Sequence, residues 1–365
     1  MEKHPGVKIE FIDVDYERNF KQLLEDPSQM PDVIELTVNE ARLPMKGRIV
    51  NLADRIEDMA DKWQGDYMTL IEFAELEGEA YLLPIRSEPM MVFYITDIFE
   101  NKGITPPWDG WTWDDYLSIG QQLVREGHAV WNPPSLNEVE PFIVGFGGRY
   151  TDAKHRIAGV MDSPETVNAF VRYAEILNAV SSAEQFTSES AFMNRGLIVG
   201  RALRIREEYE RVSIAPIPEA PDGRRYNNSL MTGLAITTTA QQPELAWAYI
   251  KFMLGESSDE AIDAVVNYTV GASGADSSFQ PIVRKPETLE ELKQWLRYEI
   301  TISPPASFDF AWMDRGSRAS SAPGRPIPQY YAYTDVNTAQ ADLTQWAQEI
   351  EAYAATFAGQ TASGR

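Results

Sequence analysis

Arg86 and Glu88 are the first side chains in this sequence that suggest chemistry, because they come just after the Leu-Leu-Pro step at 82–84. A guanidinium there can donate two parallel hydrogen bonds to a pair of sugar hydroxyls or to a carboxylate. The alternative is an ion pair between Arg86 and Glu88 across a loop. Arg204 and Arg206 raise the same possibility of an acidic ligand, although a solvated helix face is the simpler interpretation of that pair.

Aromatic residues form the second candidate set. A sugar-binding cleft needs flat apolar faces for the C–H groups of the sugar ring and polar groups for its hydroxyls. The chain has 9 Trp and 16 Tyr, and several of them fall in predicted loops or at the ends of predicted strands. Such rings also build cores and interfaces, so residue type alone leaves both interpretations open. The candidates for ligand contact are Trp111, Trp312, Tyr331 and Tyr333.

Catalytic sites are hard to assemble from this sequence. It has three histidines, none of them in a His-Glu-x-x-His motif or with a partner four residues away, and it contains no Gly-rich phosphate loop and no Gly-x-Ser-x-Gly elbow. The absence of cysteine excludes disulfides, thiolate metal sites and cysteine nucleophiles. Acidic pairs arise by chance among 55 Asp and Glu residues, and Asp114 and Asp115 are better explained as acids in the first turn of a helix. We therefore expect no enzyme, no metal and no cofactor.

Composition narrows the class of protein. The net charge of −23 argues against nucleic acid and anionic membranes as partners, since both would be repelled. A chain of 365 residues is long enough for two or three domains. No apolar run approaches the ~20 residues of a membrane span. The sequence as written begins without an apolar leader, which a removed leader, a shortened chain or a cytosolic protein would each explain.

Apolar periodicity predicts an α/β chain, because a strand, a helix and a second strand follow one another at the start. Two long helices are predicted, one from Trp113 and one that opens in 162–165 with Asp162 or Ser163 as its cap, and 267–275 is predicted to be a loop. The predicted strands are 7–12, 31–36, 89–94, 213–218 and 233–237, and the other predicted helices are 16–24, 49–59, 67–73, 243–254 and 343–357.

Several short segments, taken in order, resemble one known family. Each of them is weak alone, but their order and spacing make the likeness specific over most of the chain. They are HPGVKIE at 4–10, PDVI at 31–34, GEAYLLP at 78–84, TWDDY at 112–116, DSPE at 162–165, APIP at 215–218, TGLAI at 232–236 and PELAW at 243–247. Together they resemble extracellular solute-binding protein family 1, the maltose-binding-like receptors of ABC importers.

The resemblance implies an α/β fold of the two-lobe, periplasmic-binding-protein-like class II, with the ligand in the cleft between the lobes. The family pattern assigns 1–106 and 231–300 to an N-terminal lobe, and 107–230 and 301–365 to a C-terminal lobe. We expect Pro106-Pro107 at a crossing between the lobes, because tandem prolines stiffen a linker. Closure is then a hinge motion that the bound ligand favours.

The resemblance also implies a function. We expect an extracytoplasmic receptor, as a periplasmic protein or a cell-surface lipoprotein, that binds a mono- or oligosaccharide as a monomer and delivers it to ABC transporter permease subunits. Family analogy places the aromatic candidates in cleft loops and brings backbone amides near the ligand. The positions for those amides are Met231, Thr232 and Gly233.

The sequence departs from the family in three places. The strand and helix that the family has before the His-Pro-Gly segment are absent, position 95 is Ile where the family usually has Asn, and the helix after Gly200 lacks a Trp that stacks on sugar. The last of these puts a simple maltose-like ligand in doubt. The alternatives are an extracellular carbohydrate-active enzyme and a receptor for a non-sugar ligand such as an organic acid or a polyamine.

Overall fold

A computed structural model gives the fold of most of the chain. The residues that it describes are 6–12, 23, 26–38, 41, 45, 47–75, 79–108, 110–131, 136–152, 156–180, 190–196, 212–227, 229–272 and 333–362.

Helices and strands are mixed along the chain, as the sequence predicts. The strands are β1 Val33–Thr37, β2 Leu83–Ile95, β3 Ala129–Trp131, β4 Ser190–Gly196, β5 Val212–Ala215 and β6 Ser229–Ile236. The helices are α1 Ala53–Glu57, α2 Asp66–Phe73, α3 Thr96–Lys102, α4 Trp113–Arg125, α5 Leu136–Gly145, α6 Pro164–Ala179, α7 Pro243–Leu254, α8 Ser258–Ala272 and α9 Val336–Ala362.

The two long helices begin where their capping residues predict. Ser163 caps α6 by accepting a hydrogen bond from the Thr166 amide at 3.3 Å, and Pro164 occupies the first turn. The Thr112 hydroxyl accepts the Asp115 amide at 3.2 Å, while the Asp115 carboxylate accepts the Thr112 amide at 2.8 Å. This reciprocal capping box fixes the start of α4 and confirms Asp115 as a first-turn acid.

Strand β2 is 13 residues long and joins two sets of strands. Its first half, Leu83 to Pro89, pairs antiparallel with β6, which pairs in turn with β1. Its second half, Met90 to Ile95, pairs antiparallel with β4 and β5, and β3 lies parallel to β4. The partners of the strand therefore change at the step from Pro89 to Met90.

The buried residues form two hydrophobic cores, and both of them include residues from the second half of β2, Ile95 in the first core and Val92 in the second. The first core draws its buried residues from 23–95 and 231–266, and Trp63 packs edge-on against Tyr67 and Trp247 within it. The second core draws its buried residues from 92–217 and 333–350, where Trp113 packs edge-on against Phe142. None of the helices in the described part of the chain combines the length and the apolar character needed to span a bilayer.

The crossing at Pro106-Pro107 stays a prediction, and the burial of its neighbours bears on it. Phe99 and Ile104 before the two prolines, and Trp111 after them, are all buried in the second core. The chain has therefore already left the first core through β2 when it reaches the prolines. Tandem prolines indicate a stiff linker, but they do not indicate which structural elements the linker joins.

Two local predictions are wrong. Residues 7–12 are not a strand. Among the described residues β1, the next strand of the chain, pairs only with β6, so 7–12 has no ladder partner there. Phe11 is accordingly 82% exposed. The predicted loop at 267–275 is helical up to residue 272, because α8 packs on β2. The predicted helix at 16–24 lies mostly outside the described residues, of which Leu23 is helical and buried.

Candidate functional site

Arg86 lies in the first half of β2, four residues before the strand changes partners. Its backbone register places it opposite Thr232 of β6, and Thr232 in turn lies opposite Thr37 of β1. Residues that are directly opposite in an antiparallel pair share one face of the sheet. Thr37, Thr232 and Arg86 therefore form a polar row across three strands, next to the point where the chain leaves the first core.

Glu35 joins this face two residues before Thr37, since side chains alternate along a strand. Its neighbours Ile34 and Leu36 are buried on the opposite side in the first core. The Glu35 Oε1 atom lies 4.0 Å from the Arg86 Nη2 atom, with the two side chains 35% and 25% exposed. Arg86 thus has a carboxylate beside it in β1, whereas the side chain of Glu88, its predicted partner, lies outside the described part of the structure.

Tyr268 of α8 fixes the other oxygen of the same carboxylate. Its hydroxyl donates a hydrogen bond to the Glu35 Oε2 atom at 2.6 Å. Partial burial, followed by the hydrogen bond to Glu35, raises the pKa of the Tyr268 phenol, which therefore remains a neutral donor at physiological pH. Partial burial and the nearby Glu35 charge also raise the pKa of Tyr249 in α7. The carboxylate is thus held between a cation and a phenol.

Thr232 brings a hydroxyl to this site that the protein itself does not satisfy. The residue is 2% exposed, and its Oγ1 atom has no hydrogen-bond partner among the described residues. A buried hydroxyl without a partner costs free energy, of the order of 1–3 kcal/mol. A solute hydroxyl or a water molecule beside Arg86 would recover it.

The two neighbours of Thr232 have packing roles. Met231 is buried in the first core. Gly233 is a point of close backbone approach, since an ideal Cβ there would lie 2.7 Å from the Leu82 Cγ atom and 2.8 Å from the Leu83 carbonyl carbon. Its missing side chain therefore serves the pairing of β6 with β2.

The two aromatic candidates that the structure describes, Trp111 and Tyr333, belong to the second core and not to the surroundings of Arg86. Trp111 is fully buried in the second core, and its indole N–H donates to the Pro216 carbonyl at 2.8 Å. Tyr333 is buried in the same core, where its hydroxyl donates to Asp342 and its ring lies edge-on to Phe170. Trp312 and Tyr331 lie outside the described residues.

The set of groups that the structure brings together is Glu35, Arg86, Thr232 and Tyr268, which we call the Arg86 cluster. Arg86 donates and the Glu35 carboxylate accepts, the Thr232 hydroxyl can do either, and the Tyr268 hydroxyl, whose proton goes to Glu35, can still accept. Such a mixture suits a solute with several hydroxyl groups. Within the described ranges no group of three or more His, Cys, Asp or Glu side chains could hold a metal ion.

Sequence reasoning missed Glu35 and Tyr268. Glu35 stands at the polar position of an alternating strand, which is the usual place for a solvated side chain. Tyr268 lies 233 positions further along the chain and falls in a segment that was predicted to be a loop. The alternation of polar and apolar residues along β1 is the only sequence signal, and it concerns Glu35 alone.

Comparison with known proteins identifies the family of the chain. Residues 1–260 match a family model described as bacterial extracellular solute-binding protein. No curated protein sequence matches the chain.

Solved structures resemble it over nearly its whole length. They include UgpB from Mycobacterium tuberculosis in complex with glycerophosphocholine (TM-score 0.65, 17% identity, 99% of this chain and 93% of that chain covered). A sugar transporter from Rhizobium etli in an open conformation gives a TM-score of 0.66 at 18% identity, with 95% and 93% covered. Maltose-bound MalE3 from T. maritima gives a TM-score of 0.62 at 17% identity, with 91% and 87% covered. These likenesses confirm the predicted two-lobe α/β fold.

Proposed function

The chain belongs to the bacterial extracellular solute-binding proteins, and from this premise we propose that its solute is an uncharged sugar or polyol, which it carries to the permease of an ABC importer. The observation that carries the choice of solute is the Arg86 cluster, in which one guanidinium, one carboxylate and two hydroxyls share a small area. Sugars bring many hydroxyls, each of which both donates and accepts hydrogen bonds, and they suit mixed groups of this kind.

The similar structures agree with a carbohydrate ligand but do not point to one compound. One of them is bound to maltose, one is called a sugar transporter, and a third holds glycerophosphocholine. Because all three are less than 25% identical to this chain, the solute has to be argued from the cluster itself. A phosphate-bearing solute is therefore kept as a competitor in the binding experiment.

The location and the partners follow from the family. The protein is a solute receptor of an extracytoplasmic class. We propose that it acts as a monomer, that it is held at the cell surface by a lipid or retained in the periplasm, and that its closed form docks on the permease. Family membership favours binding over catalysis, and an extracellular carbohydrate-active enzyme remains the rival hypothesis.

The division into lobes is also part of the proposal. The predicted boundaries at 106, 230 and 300 remain a prediction. The two cores favour an earlier first boundary, at the step from Pro89 to Met90, because 96–104 packs with the second core. On this division we propose that the Arg86 cluster, which lies next to the step where β2 changes partners, faces the cleft.

A thermal-shift screen tests the proposed solute class. The panel contains monosaccharides, oligosaccharides, polyols, uronates, amino acids, polyamines and glycerophosphocholine. A solute that binds only the folded protein stabilises it by RT ln(1 + [L]/Kd), about 2.7 kcal/mol at a hundredfold excess over Kd. We expect sugars or polyols to raise the melting temperature. If only the other classes raise it, the carbohydrate assignment is rejected, and products found after incubation with oligosaccharides would establish the enzyme instead.

Replacing Arg86 tests whether the cluster is the site. Arg86→Ala should weaken binding of the best sugar from the screen by more than tenfold, about 1.4 kcal/mol, because solute hydroxyls lose a charged donor. The melting temperature of the solute-free protein should change little, since the ion pair with Glu35 is partly exposed and contributes at most about 1 kcal/mol.

The matched control is Arg156→Ala, which removes a surface ion pair with Asp152 and should leave affinity unchanged. Calorimetric titration measures the dissociation constant of the sugar for wild type, Arg86→Ala and Arg156→Ala. Equal dissociation constants for wild type and Arg86→Ala would remove Arg86 from the site.

A further inference from the structure

We infer that Glu35 determines specificity: it balances the charge of Arg86, so that the site favours uncharged polyhydroxyl solutes over analogues that carry a carboxylate. This inference rests on the proposed function, since it concerns the solute class of the same site. It adds a residue, Glu35, whose role is to exclude a class of ligand.

The charge balance follows from the geometry of the pair. The Arg86 guanidinium is always protonated, and alone it would bind a carboxylate through two parallel hydrogen bonds. In this structure the Glu35 carboxylate already lies 4.0 Å from the guanidinium. An anionic solute would therefore have to displace Glu35 or approach it closely, and like charges at that range repel. A neutral hydroxyl meets no such opposition.

The position of Glu35 is fixed, which makes the exclusion effective. Strand β1 anchors its backbone through the buried neighbours Ile34 and Leu36. The Tyr268 hydroxyl holds the Oε2 atom at 2.6 Å, on the side away from the contact with Arg86. A carboxylate held from both sides cannot easily turn away to admit an anion.

Thr232 supplies the independent sign that an uncharged group is expected beside this pair. Its Oγ1 atom is buried and has no hydrogen-bond partner among the described residues, on the same sheet face as Arg86. A hydroxyl both donates and accepts, as solute hydroxyls do, whereas a carboxylate can only accept. The cluster thus offers a neutral polar position next to a charge-balanced pair.

Calorimetric titration with matched solutes tests the inference. The pairs are galactose and galacturonate, mannitol and mannonate, and maltotriose and maltotrionate, extended by the best sugar of the thermal screen and its oxidised carboxylate. Wild-type protein should bind the uncharged member of a pair about tenfold more tightly than its carboxylate, or better.

Glu35→Gln keeps the size of the side chain and removes its charge, so it should reduce that preference by about tenfold. The matched control is Glu57→Gln, which makes the same change at an exposed position of α1 and should leave the preference as it is.

Arg86→Gln provides a second variant with the opposite expectation. It leaves Glu35 as the remaining charge of the pair, so the preference for the uncharged solute should increase. This variant keeps the inference testable if Glu35→Gln does not fold. A Glu35→Gln protein with unchanged preference overturns the inference while the proposed function stands, whereas a wild-type protein that prefers the carboxylates overturns both. If no sugar, polyol or sugar acid binds wild-type protein, the proposed function fails and the inference fails with it.

Discussion

At Gly233 the backbone of a neighbouring strand leaves no room for a side chain. A Cβ atom there would lie 2.7 Å from Leu82 and 2.8 Å from the Leu83 carbonyl carbon, both closer than real side chains come. We expect Gly233→Ala to lower the free energy of unfolding by about 1–3 kcal/mol, because the central pairing of β6 with β2 must open to fit the methyl group.

Gly127 gives the comparison for this substitution. Its φ is +84°, and nothing lies within 4 Å of the position of its Cβ. Gly127→Ala should therefore cost about 1–2 kcal/mol from backbone strain alone. Denaturant unfolding measures the free energy of unfolding of both variants. An unchanged free energy of unfolding for Gly233→Ala would show that the two strands do not approach as closely as described.

The candidate residues show where sequence reasoning works and where it stops. Arg86 was predicted to contact the ligand through its guanidinium and Thr232 through its backbone amide, and the structure places the two opposite each other in β2 and β6. Both lie just outside the predicted strands 89–94 and 233–237, so their pairing was not predictable from local patterns. Trp111 was an even choice between core and ligand contact. Its burial and its hydrogen bond to the Pro216 carbonyl, 105 positions away, depend on tertiary packing that no local pattern reveals.

At the scale of elements, the start of α4 depends on one carboxylate rather than on negative charge in general. Asp115 accepts hydrogen bonds from the Thr112 amide at 2.8 Å and from its hydroxyl at 2.7 Å. Asp114, next to it, is 86% exposed and reaches Arg172 only at 3.5 Å. Asp115→Ala should destabilise the protein by about 1 kcal/mol through loss of the cap.

Asp114→Ala is the control, because it removes the same charge from the same turn. Its effect should stay within about 0.5 kcal/mol, as for most exposed ion pairs. Thermal unfolding of both variants distinguishes a specific cap from a general effect of the helix dipole. Equal losses would favour the dipole.

Helix starts were predictable because capping is local, whereas ends and partners were not. Helix α6 begins at one of its two predicted capping residues, Ser163, and α4 and α7 begin at the predicted Trp113 and Pro243, whereas the Thr112 cap was not predicted. Helix α8 was not predicted, and its last residues were predicted to be a loop because Gly and Ser cluster near residue 270, whereas the helix packs on β2 and continues to residue 272. In the same way, the 13 residues of β2 were only partly predicted, because each half has a different partner.

At the scale of the whole molecule, the fold predicts a change of shape when solute binds. A solute that contacts both lobes favours the closed state by the difference between its contacts in the two states. We expect small-angle scattering to give a smaller radius of gyration for wild-type protein saturated with the best sugar of the screen.

Arg86→Ala at the same sugar concentration is the control, since it should stay largely open. An unchanged scattering profile for wild-type protein, at a concentration that calorimetry shows to be saturating, would contradict closure by a hinge.

The shared strand β2 has a consequence for how this protein can be divided. Its first half completes the sheet of the first core and its second half completes the sheet of the second. A fragment that ends at residue 89 would lack β6, which pairs with both β1 and the first half of β2. A fragment that begins at residue 90 would contain β6 without either of these partners. We therefore expect that neither half of the chain folds when it is expressed alone.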